Sequence, residues 1–248
     1  MTMDQTLGAP PKGVITDISP WDPVYSPERH DLYFRWGESA LACIRLALLA
    51  ADKEEPTSVL DFACGHGRVM RTLKAAFPDA RLTACDIDRA GVDFCARTFG
   101  ANAAYSSEDP NEIAIEDRFD LIWVGSMFTH LDSDRWVGFL RLLESLLAPR
   151  GMLVFTTAGR SIIEKMKLGK QSLGLRGDQA EELIAAFARD GFGYQEYARR
   201  PGWGLARASP AWVCSRLDKV PELRLVSYFE RGWLNSQDVV SCVQRSAL

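Results

Sequence analysis

The run Val59-Leu60-Asp61-Phe62-Ala63-Cys64-Gly65-His66-Gly67-Arg68 constrains this 248-residue chain more than any other segment. A short apolar stretch ends at two glycines and passes into a helix-forming stretch, so a strand must turn sharply into a helix. Gly65 and Gly67 let the backbone approach a ligand closely and adopt dihedrals that other residues resist. Such a turn serves many open α/β sheets; the discriminating residue is Asp61, which precedes it. A dinucleotide site must receive a pyrophosphate at this turn, and an added carboxylate would repel it. Met70 also stands where the dinucleotide fingerprint has its third glycine. A ligand with positive charge and no phosphate suits the segment better.

The rhythm of strand, turn and helix then repeats. Val59–Phe62 leads to a helix at Arg68–Ala76, Arg81–Cys85 to a helix near Arg89–Phe99 closed by Gly100, and Ala103–Tyr105 is a weak third strand. Phe119–Val124 is a strong fourth strand, and Asp132 or Asp134 can cap the helix that runs to Leu147. Met152–Thr156 is the fifth. Strands alternating with helices predict a parallel sheet with right-handed crossovers. Before this block, residues 1–27 read as an arm, in which Trp21 and Tyr25 either cover a cleft or pin the arm down. A helix over Glu28–Ala51 opens a single domain over residues 28–248. After the block, Asp178–Asp190 reads as a helix ended by Gly191. The runs Tyr194–Tyr197, Ala211–Leu217, Leu223–Phe229 and Val239–Val243 read as strands that finish the sheet with an antiparallel edge.

At the end of the second strand stands Cys85-Asp86-Ile87-Asp88. An acid there accepts hydrogen bonds from both hydroxyls of a ribose, so Asp86 marks a nucleoside ligand. Ile87 would flank its base, and Asp88 also suits a helix cap. The strand–Asp–glycine turn, the acid of strand two, and Phe119-Asp120-Leu121-Ile122-Trp123 with Ser126-Met127-Phe128-Thr129-His130-Leu131 together resemble class I S-adenosylmethionine-dependent methyltransferases, over about residues 58–157. Within that family the chain is similar to bacterial small-molecule and glycan-tailoring enzymes. The resemblance implies an α/β, Rossmann-like three-layer sandwich whose seven-stranded, mostly parallel sheet has an antiparallel last strand. It also implies S-adenosyl-L-methionine as cofactor, with Ala63, Cys64 and Gly65 facing the methionine moiety and Asp86 the ribose. For the adenine amino group Ser106, Ser107, Glu108 and Asp109 compete, and Ser107 is the residue carried forward.

Small residues at Gly125 and Ser126 follow strand four at the carboxyl edge, where open α/β sheets bind ligands. Gly125 would admit the cofactor. Met127 and Phe128 either wall the methyl group or pack in the core. His130 either removes a proton from an acceptor hydroxyl or holds a loop as a structural histidine; the first role makes it the catalytic candidate. Tyr33 and Trp203, from the aromatic residues outside the cofactor half, are candidates for binding a small-molecule or glycan acceptor. The same aromatic surplus equally suits a core or a homodimer interface. Methyl transfer needs positioning more than covalent help, so the lack of a nucleophile triad is expected.

Composition limits the alternatives. A net charge of −4 recruits no nucleic acid, and Arg199, Arg200 and Arg207 read as a solvated face. The three histidines and six cysteines show no metal spacing, so no metal site is expected. The N-terminus lacks the apolar core of a signal peptide, and Ala40–Ala51 is too short to span a bilayer, so the expectation is a cytoplasmic protein without membrane contact. Two other readings compete. An NAD(P)-dependent oxidoreductase is disfavoured by Asp61, by Met70 and by the lack of a Tyr-x-x-x-Lys pair. A non-catalytic Rossmann-like binding protein would keep the fold without turnover, and the intact Asp61, Gly65, Gly67 and Asp86 set argues against a relic.

Overall fold

Alternating strands and helices can bury apolar runs on both faces of a sheet only if helices cover both faces. The computed structural model, which describes residues 12–171, 174–198 and 200–245, has this arrangement. Five strands run parallel: β1 (Ser58–Phe62), β2 (Arg81–Asp86), β3 (Asn102–Tyr105), β4 (Phe119–Val124) and β5 (Leu147–Thr157). Two more, β8 (Leu223–Trp233) and β9 (Gln237–Gln244), complete a seven-stranded sheet of order β3-β2-β1-β4-β5-β9-β8. The strand last in sequence, β9, is antiparallel to both of its neighbours. Every residue of β1 is buried, as expected for a central strand covered on both sides.

The helices that cover the sheet follow from local signals. The first, α1 (His30–Ala50), packs Ala40, Leu41, Ile44 and Leu48 against the sheet, and α2 (Met70–Ala76) follows the glycine turn. Asp88 caps α3 (Arg89–Phe99) by accepting from the amides of Ala90 and Gly91, and Gly100 ends it at φ 68°. Asp132, one of the two candidates, caps α4 (Ser133–Ser145) through the amides of Asp134 and Arg135. The expected helix at Asp178–Asp190 is α6 (Gly177–Asp190), preceded by a short α5 (Arg160–Lys167) that the sequence did not announce.

Three readings of the C-terminal third are corrected. The first is Tyr194–Tyr197, expected to help finish the main sheet, which lies in β6 (Phe192–Tyr197) outside it. Ala211–Leu217, expected as a strand, lies in helix α7 (Pro210–Leu217). Ser209 accepts from the amide of Trp212 and Pro210 occupies the first turn, a helix-start signal that outweighs the aromatic and β-branched content. Trp212 stacks on Phe192 with ring centroids 4.3 Å apart and meets Trp136 edge-on at 4.9 Å, which fixes the helix on the core. Arg207, expected on a solvated face, is 3% exposed. It belongs to β7 (Arg200–Ala208), which pairs antiparallel with β6 (Phe192–Tyr197) in a separate two-stranded ribbon. Arg199 lies outside the described residues. Among the described residues no helix is long and apolar enough to cross a membrane.

Removing the cap should loosen α7 without disturbing the main sheet. Ser209→Ala is expected to lower unfolding stability by about 1 kcal/mol, read from the midpoint of a urea titration. A midpoint equal to wild type would mean that the Trp212 stack alone holds the helix.

Candidate active site

The sheet order reverses between β1 and β4, and the crevice outside their carboxyl ends is where such sheets bind ligands. The turn that follows β1 bends through Ala63 at φ 65°, Gly65 at φ 52° and Gly67 at φ 80°. It is tied to β2 by the amides of Ala63 and Cys64, which both donate to the Cys85 carbonyl at 2.8 and 3.1 Å. The next amide, Gly65 N–H, donates to Asp86 Oδ2 at 2.8 Å, and Asp88 N–H donates to Asp86 Oδ1 at 2.8 Å. Burial pushes the Asp86 carboxyl above its ordinary range, and these two amides oppose that push. Asp88, beyond capping α3, meets His66 Nε2 at 3.1 Å, so the buried His66 shapes the loop.

A cavity of about 270 Å³ opens above this loop. Asp61, Ala63, Cys64, Gly65, Asp86, Ile87 and Gly125 all border it, as do Met127, His130 and Trp203. A Cβ on Gly65 would meet nothing within 4 Å, which leaves the loop open on the cavity side. Gly67 is placed differently. Its Cβ would lie 2.3 Å from the Phe99 ring, so it serves the close packing of the loop against α3 and does not border the cavity. A smaller hollow of about 60 Å³ adjoins the first, sharing Ala63, Asp86, Ile87, Met127 and Trp203 and adding Ser106, Ser107 and Glu108. Ser107 donates to Glu112 at 2.6 Å, while Asp109 caps a short helical turn and stays outside.

Asp61 is 1% exposed, and its Oδ2 has no hydrogen-bond partner. Burial, reinforced by the Asp86 charge, pushes its carboxyl up to about 8, against a smaller opposing pull from Arg68. A buried, underused carboxyl beside a second acid is a poor host for phosphate and a good one for a cation. The Gly65 amide that a pyrophosphate would need is already held by Asp86.

At the other wall, the turn Met127–Thr129 follows Ser126, which adopts φ 65° and donates its amide to Thr156 Oγ1 at 2.8 Å. His130 Nδ1 lies 2.8 Å from the Gly204 carbonyl of β7 and 3.3 Å from the Tyr197 hydroxyl of β6. The Gly204 amide donates back to the His130 carbonyl at 3.2 Å. A carbonyl can only accept, so the neutral ring carries its proton on Nδ1 and Nε2 is the basic nitrogen. Trp203, between them on the ribbon, borders both hollows. Phe128 and Tyr33 do not reach this space. Phe128 is fully buried between Trp136 and Phe155, at 4.6 and 4.9 Å between centroids. Tyr33 donates its hydroxyl to Asp22 Oδ2 at 2.7 Å and so fixes the N-terminal segment.

That segment, read from sequence as an arm whose Trp21 and Tyr25 either cover a cleft or pin the arm down, borders the cavity through other residues. Asp22, Pro23 and Val24 border the cavity, whereas Trp21 is 79% exposed and Tyr25 packs edge-on against Tyr33. Arg71, fully buried, holds the segment by donating to the carbonyls of Ile15 and Asp17 at 2.7 and 3.0 Å. Arg68, Trp123 and Trp233 are further wall residues that motif reading passed over. Only Arg68 had a local signal, its place directly after Gly67. Among the described residues, no cluster of three or more His, Cys, Asp or Glu could hold a metal ion.

Known proteins can be set beside this geometry. Residues 59–151 match the family model described as "Methyltransferase domain". The malonyl-[acyl-carrier protein] O-methyltransferase of Acetivibrio thermocellus is 25% identical over 130 residues, covering 52% of this chain and 45% of that protein. The enzyme of the same name from Anoxybacillus flavithermus is 28% identical over 114 residues, covering 46% and 43%. The chain thus spans about half the length of the curated relatives it matches. An amino pentose methyltransferase of Micromonospora echinaspora, solved with S-adenosylmethionine bound, superposes with a TM-score of 0.60 at 14% identity over 89% of this chain and 98% of that one. An S-adenosylmethionine-dependent methyltransferase from Clostridium acetobutylicum gives 0.57 at 15% identity over 87% and 92%. At those identities the likeness shows the fold.

The Asp61 carboxyl makes the apo protein sensitive to alkali. The folded state holds its proton up to about pH 8, whereas the unfolded chain releases it near 3.8. The folded state therefore binds more protons in that window, and stability falls as pH rises through it, with no further loss from this group above about 8. Asp86, raised by burial, adds to the same slope. Asp61→Asn should flatten the decline between pH 5 and 8, measured by urea unfolding without ligand. A slope unchanged by the substitution would show that Asp61 is ionised when buried.

Proposed function

We propose that this chain, whose residues 59–151 match a methyltransferase domain, is a class I S-adenosylmethionine-dependent methyltransferase that methylates a hydroxyl of a small-molecule or glycan acceptor entering beside His130 and Trp203. S-adenosylmethionine, when bound, supplies an activated methyl group on a sulfonium. The residues present fit it. Asp86 has both oxygens oriented by backbone amides and keeps lone pairs for two ribose hydroxyls. Ile87 borders both hollows and offers an apolar edge to the base, while Ser107 and Glu108 stand ready for its amino group. Ala63, Cys64 and Gly65 would line the methionine portion, and Asp61, protonated in the empty site, would ionise beside the cationic end of the cofactor. Gly125 and Met127 leave a narrow apolar wall where the methyl group would pass.

One observation carries the acceptor reading: His130 borders the cavity with Nδ1 held by a backbone carbonyl, so its basic nitrogen is Nε2. A hydroxyl is a weak nucleophile at neutral pH, and a positioned base that takes its proton contributes about 10²–10⁴-fold. The Gly204 contact orients the ring, much as a carbonyl orients other histidine bases. Trp203 would pack on the face of a sugar or planar acceptor. The named activity of the relatives favours a second reading, a carboxylate acceptor, which is nucleophilic without a base.

Two measurements test the assignment. Asp86→Ala should weaken S-adenosylhomocysteine binding by about 1.5–3 kcal/mol, the range for a lost charged hydrogen bond, as read by calorimetry; equal affinity would remove Asp86 from the ribose. His130→Ala should lower kcat on a hydroxyl acceptor about 10²-fold or more, with cofactor affinity unchanged and the residual rate rising with pH. An unchanged kcat accompanied by turnover of a malonyl thioester would favour the carboxylate acceptor.

A further inference from the structure

Arg68 is the charged group of the larger cavity that the roles above leave without a task. It stands at the end of the glycine turn, bordering the larger cavity and absent from the smaller hollow. Its guanidinium carbon lies 5.0 Å from the centroid of the Trp36 ring of α1 and 5.5 Å from that of Trp233 at the end of β8. Two indole faces attract the charge but accept none of its five N–H groups in the plane of the guanidinium. Among the described residues no carbonyl or carboxylate accepts from it. Asp22 and Asp61 are close enough to favour its charge, yet Asp22 already accepts from the Tyr33 hydroxyl and the Val24 amide. Burial works against the cation and holds it below the usual arginine range. A preorganised guanidinium with unused donors, facing a cavity, fits a planar anion that can take two parallel hydrogen bonds.

The position selects which anion. Asp86 and Ile87 are common to both hollows, so the nucleoside end of the cofactor extends toward Ser107 and Glu108. Arg68 borders only the larger cavity, with Asp61 close by. His130 is held from the β6–β7 ribbon, whereas Arg68 is held between α1 and β8. We propose that Arg68 is the residue that selects the cofactor's amino-acid end, its guanidinium seated against the contacting Trp36 and Trp233 rings so that it takes the α-carboxylate while Asp61 faces the α-ammonium. This rests on the methyltransferase reading and goes beyond it: it makes Arg68 a specificity-determining residue for ligands with a zwitterionic tail.

Calorimetry on the full chain tests it with two ligands that share a nucleoside and a thioether. S-adenosylhomocysteine keeps the amino-acid end, and 5′-deoxy-5′-methylthioadenosine lacks it. Arg68→Met should weaken S-adenosylhomocysteine on the order of tenfold or more, the loss expected for a charged hydrogen bond, and leave methylthioadenosine affinity unchanged. Arg68→Lys, which keeps the charge and loses the fork, should fall between. Melting temperatures of the variants report whether they fold. Equal losses for both ligands would make Arg68 a structural residue and overturn the assignment. Unchanged affinity for both with a raised acceptor KM would move Arg68 to the acceptor side and overturn it as well. Failure of wild type to bind either ligand would remove the methyltransferase reading, a result distinct from failure of the Arg68 assignment alone.

Discussion

The Asp86 carboxylate, gripped by the amides of Gly65 and Asp88, is the interaction on which the rest of the site depends. One side chain at the end of β2 satisfies the amide of the glycine turn after β1 and the amide that opens the cap of α3. It thereby fixes two adjacent strand ends in one geometry. Charge-assisted bonds of this kind are among the stronger ones available to a protein, and the burial of Asp86 strengthens them further. The same contact decides the ligand class, because an amide already donating to a carboxylate cannot cradle a phosphate.

Around that contact the cavity gathers acidic groups and an arginine. Asp61 sits underused, its carboxyl raised to about 8 by burial and by Asp86, while Arg68 lies against the Trp36–Trp233 pair. Each group costs stability in the empty protein, since a buried polar group without a partner loses hydration and gains nothing in return. Under the proposed assignment, a ligand bearing an ammonium, a carboxylate and a sulfonium would offset those costs on binding. The electrostatic strain of the apo site and its selectivity are two aspects of one arrangement.

The acceptor side is assembled from a part of the chain remote in sequence. The β6–β7 ribbon sits outside the main sheet and brings Tyr197, Trp203 and Gly204 over His130. Its base is packed by the α7 tryptophan stack and by the small apolar cluster that includes Leu183 and Leu205. On the opposite side, the segment Asp22–Val24 is held down by Arg71 and Tyr33. The parallel strands present a common cofactor edge, and these two additions shape what can approach it.

By itself the sequence determined the parallel core and most of the residues that gather around the cavity at the carboxyl ends of β1 and β2. The alternation of β1 through β5, Asp61 ahead of the glycines, and Asp86 at the end of β2 are local patterns, in which a few consecutive residues carry strand, turn and charge together. Asp88 and Gly100 likewise announce the ends of α3 through their own chemistry. Tertiary structure decided what depends on contacts distant in sequence. Gly67 and Phe128 belong to motifs whose neighbours border the cavity, yet packing against Phe99 and between Trp136 and Phe155 draws them away from it. The helix α7, the burial of Arg207 and the ribbon that orients His130 follow from Trp212, Phe192 and Gly204 meeting partners far along the chain. So does the seat of Arg68 against the two indoles, since Trp36 and Trp233 stand 32 residues before it and 165 after it in sequence. Periodicity encodes which face of an element is apolar; which element that face meets is settled only when the chain closes on itself.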